Sequence, residues 1–326
     1  MSTITLEEHF VTESFLRATQ KNNERFPPLL AELKTKLLNL GEGRIADMDK
    51  SGIDFQVLSL AAMGFDALDP ETASSLAHDV NDELADAVRA YPERIGGFAT
   101  LALKAPDTAA AELERCVTRL GFHGALVNGT TGGLFLDDPR FLPVLEAAAH
   151  LGVPIYLHPA PPPQPVSETY YSGLSGDLGF FLSIAGWGWH AETGLHTLRL
   201  IVSGLFDRLP GLQLIIGHMG EGLPYALARS AGILSHAALQ LRRPVADYFQ
   251  SNIHCTTSGY FTVPPLRCAL EVIGIDRLLF SVDYPYSPNT RGRTFLDSLA
   301  EFLDAEDFEK LTYGNAAHLL GLDAAI

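Results

Sequence analysis

The chain has 326 residues with 23 Lys and Arg against 39 Asp and Glu, a net charge of −16 that argues against nucleic-acid binding yet leaves anionic small substrates open, because a metal or a local arginine overrules the global sign. A hydrophobic content of 47% and a mean hydropathy of +0.11 supply a large core, while no run of about 18 apolar residues marks a membrane span. Cys116, Cys255 and Cys268 are too scattered for a disulfide framework, and the N-terminus lacks the basic-then-apolar pattern of a signal peptide, so a soluble cytoplasmic protein is expected.

Along the chain, short β-branched runs alternate with longer stretches of helical spacing. The first strand is expected at Thr3–Leu6 and leads into Glu7-Glu8-His9. A long excursion at about 19–44, containing Phe26-Pro27-Pro28, separates it from a strand at Phe55–Leu60. A helix over Glu71–Tyr91 precedes a strand at Ile95–Thr100; a helix over Asp107–Leu120, stopped by Gly121, precedes a strand at Gly124–Val127. Asp138-Pro139 starts a helix ending at Gly152, and Pro154–Leu157 forms the next strand. A second excursion, 159–189, carries Pro161-Pro162-Pro163, Tyr170-Tyr171, Phe180-Phe181, Trp187 and Trp189. Loops this long at strand ends build substrate walls and lids, although such aromatics also pack as ordinary core. Helices over Glu192–Asp207, Pro224–Leu241 and Pro264–Ile273 then separate strands at Gln213–Ile216, Ile253–Thr256 and Leu278–Val282. Eight βα repeats predict an α/β fold of the (β/α)8 TIM-barrel type, a single domain spanning 1–326 with the two insertions.

Four of these strands end in residues able to bind metal or move protons. Glu7 and His9 are one residue apart, so period-two alternation sends both to one face and Glu8 to the other. A salt-bridged surface pair is the plainer reading of that dipeptide spacing. His158 ends the fifth strand just before Pro159 turns the chain away. His218 sits in Gly217-His218-Met219-Gly220-Glu221-Gly222, where glycines permit close approach of a ligand and Glu221 is near enough to orient the imidazole. Asp283 closes the last strand, where a buried carboxylate needs a compensating metal or hydrogen bond. Taken singly, each has a structural explanation, a satisfied histidine or a turn-capping aspartate. On strands one, five, six and eight of a barrel they all face one mouth.

The stretches Leu6-Glu7-Glu8-His9-Phe10, Leu120-Gly121-Phe122-His123-Gly124, Tyr156-Leu157-His158-Pro159, Ile216 through Tyr225 and Phe280-Ser281-Val282-Asp283-Tyr284-Pro285 closely resemble the amidohydrolase superfamily, in its branch of aminocarboxymuconate-semialdehyde-decarboxylase-like enzymes. The likeness is greatest to the γ-resorcylate and 2,3-dihydroxybenzoate decarboxylases. The resemblance implies metal ligands at Glu7, His9, His158 and Asp283, and a catalytic pair at His218 and Glu221. It implies a homodimer or homotetramer, with Arg229 similar to an arginine that meets substrate near a subunit contact. Binuclear members use a carboxylated lysine ending strand four; here that strand ends Leu126-Val127-Asn128-Gly129, so one metal is expected. Trp189 stands where the resorcylate enzymes carry phenylalanine, and Tyr284 and Tyr286 replace residues commonly Trp and Phe, which implies a reshaped pocket.

The expected reaction is non-oxidative decarboxylation of an ortho-hydroxylated aromatic acid. Metal would bind the carboxylate and phenolic oxygen, Asp283 would protonate the ring carbon, and Asn128, Trp189, Arg229 and Tyr284 would line the substrate. Two carboxylates and two imidazoles suit Zn2+ or Mn2+, with Mg2+ conceivable, and no organic cofactor is expected, since no G-x-G-x-x-G turn follows a strand. The competing readings are a lactonase-like metal-dependent hydrolase using the same residues and a non-catalytic barrel.

Overall fold

A computed structural model describes residues 2–23, 29–61 and 65–322. Phe26-Pro27-Pro28 lies outside them; Leu29–Leu37, in the same excursion, is helical. Parallel strands form a closed ring: Ile4–Phe10, Phe55–Leu60, a third in two halves at Ile95–Gly97 and Ala99–Thr100, then Ala125–Asn128, Ile155–His158, Leu214–Ile216, Ile253–Thr256 and Leu278–Leu279. The halves of the third strand meet at Phe98, whose N–H still donates to Leu58 O at 2.9 Å. This is the TIM barrel expected from the alternation of strands and helices.

The first and last strands differ most from expectation. The first extends to Phe10, so Glu7 and His9 lie within it, while the last is regular only over Leu278–Leu279. Closure past that point uses a side chain: Ser281 Oγ accepts from Leu6 N at 2.8 Å and Glu7 N at 3.1 Å, where the first strand's register shifts. Backbone pairing resumes at Tyr284, whose carbonyl accepts from His9 N at 2.6 Å.

Alternation along the strands separates two cores. Ile4, Leu6, Phe55, Val57, Phe98, Leu126, Ile215 and Leu279 fill the barrel, and Ala316, Ala317 and Leu320 of the Asn315–Leu320 helix plug its lower end. Opposite faces of the strands pack against the surrounding helices, among them Pro70–Ala90, whose N-cap Asp69 accepts from Thr72 N. Gly121 and Gly152 end their helices at φ 73° and 69°, the left-handed conformation their lack of Cβ allows. With the lower half of the barrel packed by apolar groups, polar side chains at the upper ends of strands one, five, six, seven and eight face a common mouth. The second excursion supplies two short helices beside it, Gln164–Tyr170 and Leu178–Ser183. Among the described residues no helix is long and apolar enough to cross a membrane.

Candidate active site

Glu7, His9, His158 and Asp283 converge at the mouth, each offering an atom within 4.8 Å of all the others. His158 Nε2 lies 3.4 Å from Glu7 Oε1 and His9 Nε2 lies 3.3 Å from Asp283 Oδ1. The outward nitrogens are held from behind: His158 Nδ1 meets Asn128 Oδ1 at 2.9 Å and His9 Nδ1 meets Ser59 Oγ at 3.3 Å. A hydrogen on Nδ1 of His158 leaves its Nε2 lone pair facing the centre.

Glu7 is divided in the same way. Its Oε2 accepts from the hydroxyls of Tyr156, Thr256 and Ser258, while Oε1 is buried without a hydrogen-bond partner. His9 Nε2 is likewise buried and unsatisfied, its approach to Asp283 failing the geometry of a directed bond. Leaving a buried polar atom unpaired costs about 1–3 kcal/mol. Two such atoms aimed at one point, with another imidazole and another carboxylate beside them, form a mixed N/O donor set that fits a divalent cation.

The backbone is contorted to make this arrangement. The described residues contain four non-glycine positions with positive φ, namely His218 at 50°, Met219 at 57°, Glu221 at 55° and Asp283 at 70°, and all belong to the site motifs. Left-handed conformations of this kind persist where surroundings over-determine them, and they gather at active sites. Two of the glycines around His218 also leave room that packing requires. A Cβ on Gly217 would lie 2.7 Å from Glu7 Oε2, and one on Gly220 would lie 2.9 Å from Cys255 Sγ.

His218 Nε2 looks into the same centre, 3.8 Å from Glu7 Oε1 and 3.9 Å from Asp283 Oδ2. Its Nδ1–H donates to Glu221 Oε1 at 2.9 Å. The other oxygen of Glu221 bonds Nδ1 of His190, which sequence reasoning passed over, and the indole of Trp189 donates to His190 Nε2 at 3.2 Å. Burial opposes charge on His218, but Glu221 and Glu7 outweigh it and hold the imidazole well above its usual range. Burial also disfavours the Asp283 carboxylate, yet His218 and His9 hold it below the ordinary carboxylate range. His158 moves the other way, pushed well down by burial and then by His9 and His218, which favours the neutral imidazole.

The residues expected to line the substrate are more dispersed. Asn128 backs His158 and borders a cleft of about 690 Å³ over strands two to five. Trp189 is half-buried and committed to His190. Tyr284 is buried, its hydroxyl donating to Asp47 Oδ2 at 2.8 Å and its ring lying under the Arg44 guanidinium, whereas Tyr286 brings its ring centroid within 5.6 Å of that of His9. Arg229 is exposed on the Leu223–Ala237 helix, with no ion pair among the described residues. Besides His190, Tyr260 went unread: its ring stands edge-on to those of both His190 and His218.

Residues 26–322 match the family described as Amidohydrolase. The γ-resorcylate decarboxylase of Polaromonas sp. strain JS666 is 39% identical over 98% of this chain and 98% of its own. A solved dihydroxybenzoic acid decarboxylase from Polaromonas sp. JS666, holding manganese and the inhibitor 2-nitroresorcinol, superposes with a TM-score of 0.88 at 37% identity, covering 99% of this chain and 98% of that one. The 5-carboxyvanillate decarboxylase of Sphingomonas paucimobilis gives a TM-score of 0.91 at 30% identity, over 98% of this chain and 99% of the other.

Proposed function

Because the chain belongs to the amidohydrolase family, with decarboxylases matching it along nearly their whole length, we propose that the cluster at the barrel mouth is the reaction centre of a metal-dependent decarboxylase acting on hydroxylated benzoates. The observation that carries the residue assignment is the pair of unpartnered buried atoms, Glu7 Oε1 and His9 Nε2, facing His158 and Asp283. These four side chains hold the ion, Mn2+ or Zn2+ from their donor types. Bound there, it supplies positive charge to the substrate's carboxylate and ortho oxygen.

Asp283 and His218 manage the proton. Asp283 Oδ2 stands 3.9 Å from His218 Nε2, so the two groups can exchange a proton. A proton passed to Asp283 is delivered to the carboxyl-bearing ring carbon, which the ortho oxygen has made electron-rich. The bond to the carboxyl carbon then breaks, its electron pair restores the aromatic ring, and CO2 leaves. Glu221, bonded to both His218 and His190, keeps the hydrogen of His218 Nδ1 turned away, so that only Nε2 serves the centre. Tyr286 and Tyr260 present ring faces or edges beside the cluster that suit a planar substrate. Turnover of 2,6-dihydroxybenzoate in D2O is the test: one deuterium on the carbon between the two hydroxyls of the resorcinol product supports this course, and unlabelled product refutes protonation by the enzyme at that carbon.

We also infer a homodimer or homotetramer. Tyr170, Leu174, Leu178, Phe181, Leu182 and Trp187 are all exposed on the second excursion, large apolar side chains that suit a contact between copies of the chain.

A further inference from the structure

Glu8 and Arg44 stand outside the donor set, yet both reach the two strands that carry His9 and Asp283. Glu8 points away from Glu7 and His9 and is fully buried. Its two carboxylate oxygens go to different peptide groups: Oε1 accepts from Val282 N at 3.0 Å and Oε2 from Tyr284 N at 2.9 Å. Those amides bracket Asp283, the residue held at φ 70°. Arg44, on the Glu42–Ser51 helix, is also fully buried. Its Nη2 donates to His9 O at 2.6 Å, its Nε donates to Asn39 O at 2.9 Å, and its guanidinium lies 4.9 Å from the centre of the Tyr284 ring.

Glu8 is not alone in joining the first strand to the last. Ser281 Oγ already ties the last strand to Leu6 and Glu7, and His9 N already pairs with Tyr284 O, without burying a charge. What Glu8 adds is control of the two peptide planes on either side of one side chain. A carboxylate is well suited to this, since its two oxygens can take one amide each at fixed spacing. Arg44 sets the neighbouring carbonyl of His9 and packs on the residue after Asp283, so one buried cation steadies both strand ends.

We propose that Glu8 and Arg44 are positioning residues, a clamp behind the reaction centre that fixes His9 and Asp283 in the geometry needed to hold the metal ion. The proposal rests on the metal-site reading above. Partners that orient ligands from behind typically change metal affinity by roughly 10–100-fold when altered. The substitution Glu8→Gln keeps the size of the side chain but turns an NH2 group toward one of the two amides. Arg44→Lys keeps the charge but cannot serve His9 O and Asn39 O together through a planar fork.

The test loads full-length protein with Mn2+ and measures its affinity by chelator competition and its EPR spectrum, with thermal unfolding followed alongside. The clamp predicts that folded Glu8→Gln binds Mn2+ at least 10-fold more weakly than the parent and shows an altered EPR line shape, and that Arg44→Lys shifts both in the same direction. A folded Glu8→Gln with affinity within twofold of the parent and an unchanged spectrum overturns it. Should Glu8→Gln not fold, Arg44→Lys decides by the same two readouts. His158→Ala separates the two claims: if it loses Mn2+ while the Glu8 and Arg44 variants keep it, only the clamp fails; if it binds Mn2+ like the parent, the metal-site reading fails and the clamp with it.

Discussion

The Trp189 indole donates its N–H to Nε2 of His190 across 3.2 Å, which leaves the other nitrogen of that histidine to bond Glu221. A side chain expected to form a substrate wall is thus the outermost member of a hydrogen-bonded chain that runs through His190 and Glu221 to His218. His190→Ala breaks that chain and leaves Glu221 Oε2 unpaired in a buried site. Turnover is expected to fall by about 10-fold or more while bound metal stays near the parent level, because a misplaced proton-handling group costs rate and not ligation. Steady-state kinetics with elemental analysis of the same preparation reads both.

His218→Ala is expected to lower kcat by roughly 10²-fold or more with metal largely retained, in keeping with proton transfer as its main task. Its Nε2 nevertheless lies 3.8 Å from Glu7 Oε1. Metal lost in step with activity would make His218 a ligand.

Removal of His158 or Asp283 should behave differently. Each takes one donor from a set of four, so His158→Ala and Asp283→Ala are expected to abolish turnover and sharply reduce metal content. Elemental analysis showing full metal in both variants would defeat the ligand assignment.

A stability prediction follows from the closure of the barrel. Ser281→Ala leaves the buried amides of Leu6 and Glu7 without their shared acceptor. Each unsatisfied group costs about 1–3 kcal/mol, so a loss of about 2–6 kcal/mol is expected for the two in reversible denaturation, enough to lower the unfolding midpoint visibly. A midpoint unchanged from the parent would mean that another group takes over those amides.

The strands were legible in the sequence because each is an apolar, β-branched run flanked by turn residues, and the endings of four of them exposed Glu7, His9, His158, His218 and Asp283. Period-two alternation also sent Glu8 the opposite way, but it could not say that Glu8 meets the amides around Asp283, a contact spanning |i−j| of 274 and 276. The irregular end of the last strand was hidden for a related reason: Ser281 replaces a backbone partner with a hydroxyl, and apolar patterning carries no sign of that substitution. His190 lies in the first turn of a helix and does not end a strand, so strand-end patterning carries no sign of it. Its position directly after Trp189, where the aromatic-rich insertion ends, was the available signal. Tyr284 faces Arg44 and Asp47 because of where the Glu42–Ser51 helix packs, which local sequence does not reveal.

The central claim is that an ortho hydroxyl beside a carboxylate is what this site converts, since that oxygen would both meet the metal and feed electrons to the carbon that accepts the proton. The most direct measurement is CO2 release by Mn2+-loaded protein from 2,6-dihydroxybenzoate, 2,3-dihydroxybenzoate and salicylate, beside benzoate and 3-hydroxybenzoate as acids lacking the ortho group. CO2 from at least one ortho-hydroxylated acid, and none from the two controls, is the predicted result. Lactone opening without CO2 release, or turnover confined to non-aromatic acids, would contradict it.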